Sequence, residues 1–177
     1  MTILPLNAHM RNHIIVTPVV CFVSDLSLKA LRPNPWEVDR VFTHPLKGCH
    51  TGVLAGTDMT GLAEKGGEHW PHQEELHSVE DRIGTTGGYR MHRFRTTNTP
   101  IKGLTSDVLI NTAIVAFASP PAFVRHAPSQ PDFATAIAKV VQELPRVINV
   151  AGKKKVMEWG APGGIRMKSG ETWHKSA

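Results

Sequence analysis

Between Glu68 and His77 the chain gathers three imidazoles, His69, His72 and His77, with the carboxylates Glu68, Glu74 and Glu75. Imidazole and carboxylate are donors that zinc accepts. The spacing does not make a helical His-Glu-x-x-His, and Pro71 breaks the step from His69 to His72, so a polar loop is the competing and favoured reading. A second set is basic. Arg90, Arg93, Arg95 and Lys102 could hold phosphate oxygens, because guanidinium forks match them; the alternative is an exposed basic strand face. Two thiols complete the reactive side chains: Cys21 in an apolar strand-like run and Cys49 in a Gly-rich turn. With no Cys-x-x-Cys, one buried thiol and one loop thiol is favoured over a nucleophile or metal ligand.

The bounds on the whole chain are ordinary. Its 177 residues, 41% hydrophobic and 20% charged, suffice for one globular domain with a core, plus a tail. The 20 Lys and Arg against 15 Asp and Glu leave +5, which attracts phosphates, anionic cofactors or nucleic acid. Nucleic acid ranks last, because no aromatic or Gly-rich RNA-binding motif surrounds Lys153-Lys154-Lys155, which reads as a solvated tail. No run approaches the ~20 apolar residues of a membrane span, and the first residues do not read as a signal peptide. The expectation is a soluble, intracellular protein without a membrane partner.

Positioning elements follow from periodicity. His13–Val23 is a near-continuous apolar run and reads as a buried strand with a bulge or an edge at Pro18. Leu26–Leu31 reads as a short strand, Pro33-Asn34-Pro35 as a turn, and Val38–His44 as an alternating strand ended by Pro45. Residues 47–88 read as a long, mostly exposed insertion, with a short helix over Glu74–Ile83. Tyr89–Phe94 is a strand. Thr105–Ala118 is a helix apolar nearly all round, and so expected to be buried between other elements. A further helix over Gln130–Leu144 places Phe133, Ile137, Val140, Val141 and Leu144 on one stripe, with Ser129 as its cap and Pro131 in the first turn. The division expected is 1–125 as the domain, 126–150 as a C-terminal helix and 151–177 as a loose basic tail.

Four blocks occur in order: Asn12–Val20, Arg32–Phe42, Pro45-Leu46 and Ile101–Thr105. Together with Tyr89-Arg90-Met91-His92-Arg93-Phe94, they resemble the coenzyme A diphosphatase branch of the Nudix hydrolases, in its fungal form. The resemblance implies an α/β fold, a Nudix-type α/β/α sandwich with a mixed sheet. It also implies a hydrolysis of coenzyme A, or of a related nucleoside diphosphate derivative, with coenzyme A cut into phosphopantetheine and adenosine 3′,5′-bisphosphate. Mg2+ or Mn2+ would neutralise the diphosphate and activate water, held by carboxylates on one helical face.

That acidic helix, the Nudix box, has no counterpart in this sequence. The nearest stretch, Gln73–Arg82, lacks an Arg-Glu pair ahead of a Glu-Glu pair. The chain is therefore expected to begin downstream of the catalytic helix and to be inactive or impaired, with no metal ligand set of its own. By the resemblance Glu37 is the candidate catalytic carboxylate, with bracing of the turn after Pro35 as its other reading. Arg90, Arg93, Arg95 and Lys102 are the candidate substrate-binding residues. The alternative function is a non-catalytic protein of the same fold that binds coenzyme A, a nucleotide or a partner. Unpaired sheet edges and an apolar face of the helix over Thr105–Ala118 further imply self-association. Relatives in this branch are often peroxisomal or mitochondrial, although Lys175-Ser176-Ala177 is not a Ser-Lys-Leu type of address.

Overall fold

Pro18 has no N–H to give to a ladder, and the apolar run expected as one strand is divided there into two. The computed structural model describes residues 2–4, 7–9, 14–84, 87–150, 158–159 and 165–166. In it β1 (Thr2–Ile3) pairs with β4 (Val19–Val20), and β2 (Asn7–His9) with β3 (Ile14–Val16), both antiparallel. Pro18 contributes its carbonyl instead, accepting from Leu4 N at 3.1 Å. Cys21 is exposed and not in a strand.

Leu26–Leu31 is helical, not extended: α1 spans Asp25–Ala30. Ser24 Oγ accepts from Ser27 N at 3.3 Å and Asp25 lies in the first turn, an N-terminal signature that outweighs the short apolar run. The strand expected over Val38–His44 does not form either. Residues 38–45 are irregular and mostly exposed, because alternation makes a strand only where a partner ladder meets it.

Residues 47–88, read as a long and mostly exposed insertion, also contribute to the core. They carry most of α2 (Leu46–Thr51), a 3-10 turn (Gly56–Met59) and β5 (His77–Gly84), and they bury Cys49, Trp70 and Leu76. Where a helix over Glu74–Ile83 was expected, Glu74–Leu76 are bends and His77–Ile83 is strand. β5 pairs along its whole length with β6 (Gly87–Phe94), and β6 pairs at its far end with β7 (Ile101–Lys102). The outcome is an α/β chain with a small antiparallel sheet; every strand pairing among the described residues is antiparallel, unlike the mixed sheet the resemblance implies.

β7 covers only the last two residues of β6, so the rest of that edge finds other partners. Gly88 N donates to Ser129 O at 3.4 Å and Arg90 N to Gln130 Oε1 at 2.8 Å. The carbonyl of His92 accepts from Gly103 N at 3.4 Å and from Ser106 Oγ at 3.0 Å. The last two contacts seat α3 (Leu104–Phe117) at the sheet edge.

α3 is not enclosed all round. Ser106, Asp107, Ile110 and Ala113 are buried, while Val115 and Phe117 are exposed. Ile110 joins Cys49 and Phe94 in the centre of the core, with Leu46, Ile101, Leu109, Ile114 and Phe123 packed around them; each large apolar side chain so enclosed contributes about 1.5–3 kcal/mol. α4 (Phe133–Val150) runs on through Pro145, beyond the end expected at Leu144. Its cap is Asp132, whose Oδ1 accepts from Thr135 N at 2.8 Å, instead of Ser129. Ala136 and Val140 are its buried residues and Val141 is exposed; the side chain of Leu144 lies outside the described residues.

The chain forms two units, Met1–Val140 and Val141–Ala177. Within the second, β8 (Glu158–Trp159) and β9 (Ile165–Arg166) make an antiparallel ribbon. The remainder of the expected tail, including Lys153–Lys155, lies outside the described residues. No helix among the described residues is long and apolar enough to cross a membrane.

Candidate functional site: a buried histidine pair beside an ion-paired basic strand

The basic residues of β6 are already matched by acids. Arg90 grips Asp81 with Nε and Nη2, each at 2.7 Å, and its Nη1 donates to Val124 O at 3.1 Å. Arg93 donates to Glu80, which also accepts from Arg82 Nε at 2.7 Å. Arg95 donates to Ala63 O and, at 3.0 Å, to Glu75 O. Hydrogen bonds from Arg82 and Arg93 hold the Glu80 carboxyl down at about 2, and the hydrogen bond from Arg90 lowers that of Asp81. A phosphate arriving at Arg90 or Arg93 would have to displace a carboxylate. Lys102 is exposed on β7.

Glu37 lies away from these residues in sequence and is exposed in the turn after Pro35. Its N–H donates to Asn34 O at 3.0 Å and its Oε2 accepts from Asn34 Nδ2 at 3.5 Å. This geometry is turn bracing. Among the described residues no three His, Cys, Asp or Glu side chains come together as a metal would need, so the residues described do not fit Mg2+, Mn2+ or zinc. His69, His72 and His77 separate accordingly: His69 is exposed, His72 meets the Trp70 ring edge-on at 4.8 Å, and His77 turns inward on β5.

His77 enters an arrangement that the sequence reading missed. It lies opposite Phe94 in the ladder, so His77, His92 and Phe94 share one face of the sheet. The rings stack, His77 on Phe94 at 4.8 Å and on His92 at 5.1 Å, and Phe123 closes over His77 at 4.1 Å. Tautomers follow from the partners. His92 Nε2 lies 2.8 Å from Arg125 O, an acceptor, and so carries the proton. Its Nδ1 then accepts from His77 Nε2 at 2.9 Å. The free lone pair is at His77 Nδ1, beside Gly52 at the end of α2, where a Cβ would come within 3.4 Å of it and 3.2 Å of Phe123.

Both rings are held neutral. Burial, and then the neighbouring His92, pushes His77 down to about 4, and burial lowers His92 as well. A base that weak is poorly matched to proton abstraction near neutral pH. The pair instead tethers the loop carrying Phe123 and Arg125 to the sheet.

A second buried group extends the tether. Tyr89 Oη donates to Asp107 Oδ2 at 2.9 Å, and Arg125 donates to Asn111 while lying 5.6 Å from the centre of the Phe133 ring. Burial raises Asp107 to about 6 and raises Tyr89 further above its ordinary value. Cys49, expected in a Gly-rich turn, is enclosed in α2, and burial pushes its thiol up to about 12. The sequence offered His92 on an expected strand and His77 within an expected helix; the register that joins them was not legible. Compared with known proteins, the chain matches no family model, no curated protein and no solved structure.

Proposed function

We propose that this chain is a non-catalytic binding protein derived from the coenzyme A diphosphatase branch of the Nudix α/β/α sandwich, and that it takes a protein partner on residues 19–42. The four ordered sequence blocks support the descent. The observation that carries the binding reading is the exposure of the second block and its surroundings. Residues 21–43 are exposed throughout, with Phe22 at 103% and Trp36 at 90%, and Leu26, Leu28, Leu31, Val38, Val41 and Phe42 also lie in water. Two such aromatic side chains alone offer about 300–500 Å², and with the aliphatic ones the area is on the order of the 800 Å² that one partner contributes to a stable interface.

Charge narrows the partner. Asp25, Glu37 and Asp39 balance Lys29, Arg32 and Arg40, so the segment lacks the positive field that nucleic acid or an anionic membrane would select. An apolar groove on another protein, with acids and bases around its rim, is the matching surface. The carboxylates that a hydrolase needs for magnesium are not brought together among the described residues, and Arg90, Arg93 and Arg95 are committed within the fold.

The expected result is no release of adenosine bisphosphate when the purified chain is incubated with coenzyme A and Mg2+ or Mn2+, together with specific partner capture that Phe22→Ser/Trp36→Ser abolishes. Robust metal-stimulated cleavage would overturn the first half. Capture of the same proteins in equal amounts by wild type and double variant would overturn the second.

A further inference from the structure

Among the described residues β5 ends its sheet, and it is eight residues long. The ladder determines which atoms its outer edge offers. Leu76 O accepts from Arg95 N at 2.8 Å, continuing the register His77↔Phe94, Ser78↔Arg93. Leu76, Ser78, Glu80 and Arg82 therefore direct their N–H and C=O groups toward β6, and His77, Val79, Asp81 and Ile83 direct theirs outward. Such a row is a template for another strand. Two of its four residues are also apolar and in water, Val79 at 45% exposure and Ile83 at 94%.

We propose that a second copy of this chain pairs with that edge, β5 antiparallel to β5, about a two-fold axis at Asp81. The inference is independent of the binding role given to residues 19–42. Outward-facing residues must oppose outward-facing residues, which leaves three central registers. Centring on Glu80 sets Val79 against Asp81, and centring on Arg82 sets Ile83 against Asp81; each puts a charge opposite an apolar side chain. Centring on Asp81 sets Val79 against Ile83 of the second copy, twice, and Glu80 against Arg82, twice.

The Asp81 residues then oppose one another, but each carboxylate is already matched by the two-pronged grip of Arg90 at 2.7 Å. Arg82, exposed and bound to Glu80 of its own strand at 2.7 Å, exchanges that carboxylate for its equivalent across the axis. About six backbone hydrogen bonds join the strands, and the exposed apolar pairs leave water. A foreign strand would need the same sequence of charges to match as well; the chain itself carries it.

Sedimentation equilibrium of the full chain from roughly 1 to 200 µM tests the pairing. Wild type is expected to dimerise. Ile83→Pro removes an outward N–H and an apolar side chain without touching the ladder to β6, and is expected to raise the dimer dissociation constant about tenfold or more with an unchanged circular dichroism spectrum. If that spectrum changes, Ile83→Lys replaces it, keeping the N–H while losing the apolar pair. Register is read in a Cys21→Ser background. At Asp81→Cys the two Cα atoms fall about 5.5 Å apart, within disulfide reach, and at Val79→Cys about 13 Å apart. Oxidation is expected to link the first and not the second. A chain that stays monomeric, association untouched by the Ile83 variants, or cross-linking at position 79 as efficient as at 81 would each overturn the proposal.

Discussion

Replacing His77 by Gln should make the chain less sensitive to acid. A Gln side chain reaches as far as an imidazole and its amide N–H can still donate to His92 Nδ1, so the tether is retained while the titrating group is lost. In the wild type, burial and His92 bring His77 from 6.5 down to about 4. The sign follows from proton binding. Between those two values the unfolded chain holds a proton on this ring and the folded chain does not, so stability is complete above pH 6.5 and falls as pH drops toward 4. The gap corresponds to about 3 kcal/mol; because the ring keeps partial contact with water, about 2 kcal/mol is expected.

Other groups titrate in the same window, and the comparison removes them. Lowered His92 and His126 act in the same direction as His77, whereas Asp107, raised to about 6, acts in the opposite one. Urea unfolding of wild type and His77→Gln at matched pH values from 7.5 to 4.5 isolates the single ring. At pH 7.5 the variant should be less stable by about 1 kcal/mol, for loss of the stack on Phe94 and Phe123. By pH 4.5 the difference should have moved about 2 kcal/mol in the variant's favour. A difference that is constant across the range would refute the neutral, buried pair.

Three further outcomes are expected. Asp107→Asn keeps an acceptor for Tyr89 and removes a carboxyl that burial raises to about 6; it should be more stable than wild type by about 1–2 kcal/mol at pH 8, with the advantage shrinking below pH 6 and vanishing near pH 4. A variant less stable than wild type at every pH would contradict that. Ala118 ends α3 at φ 48, a left-handed conformation that disfavours a Cβ, so Ala118→Gly should raise the melting temperature by about 2–4 °C in calorimetry. Gly88→Ala would bring a Cβ within 2.9 Å of Pro128 O and 3.0 Å of Ser129 Oγ; a loss of about 1–3 kcal/mol, seen as a lower urea midpoint, is expected.

What the sequence disclosed was local. Tyr89–Phe94 and the helices begun near Thr105 and Gln130 were legible because their apolar spacing is internal to each element. Ser24 carries the information for a helix start as well, but the apolar run behind it reads equally as a strand. Val38–His44 shows the reverse failure: its alternation is genuine, yet among the described residues no neighbouring strand meets it. The histidine pair was hidden for the same reason. His77 and His92 become partners only when β5 and β6 settle into one register, and a side chain's acidity follows from that enclosure, not from its neighbours in sequence. Glu37 stands out by the resemblance and Arg90 by its charge; that each is bound to a nearby residue, Asn34 or Asp81, depends on a turn and a ladder.

The contrast between the two thiols has a kinetic consequence. Cys21 meets solvent, whereas Cys49 is sealed beside Phe94 and Ile110 with its proton firmly held. An alkylating reagent would modify the first at once and reach the second only in the moments when the interior opens. The slow second modification is thus a built-in clock, ticking at the rate at which the protein breathes.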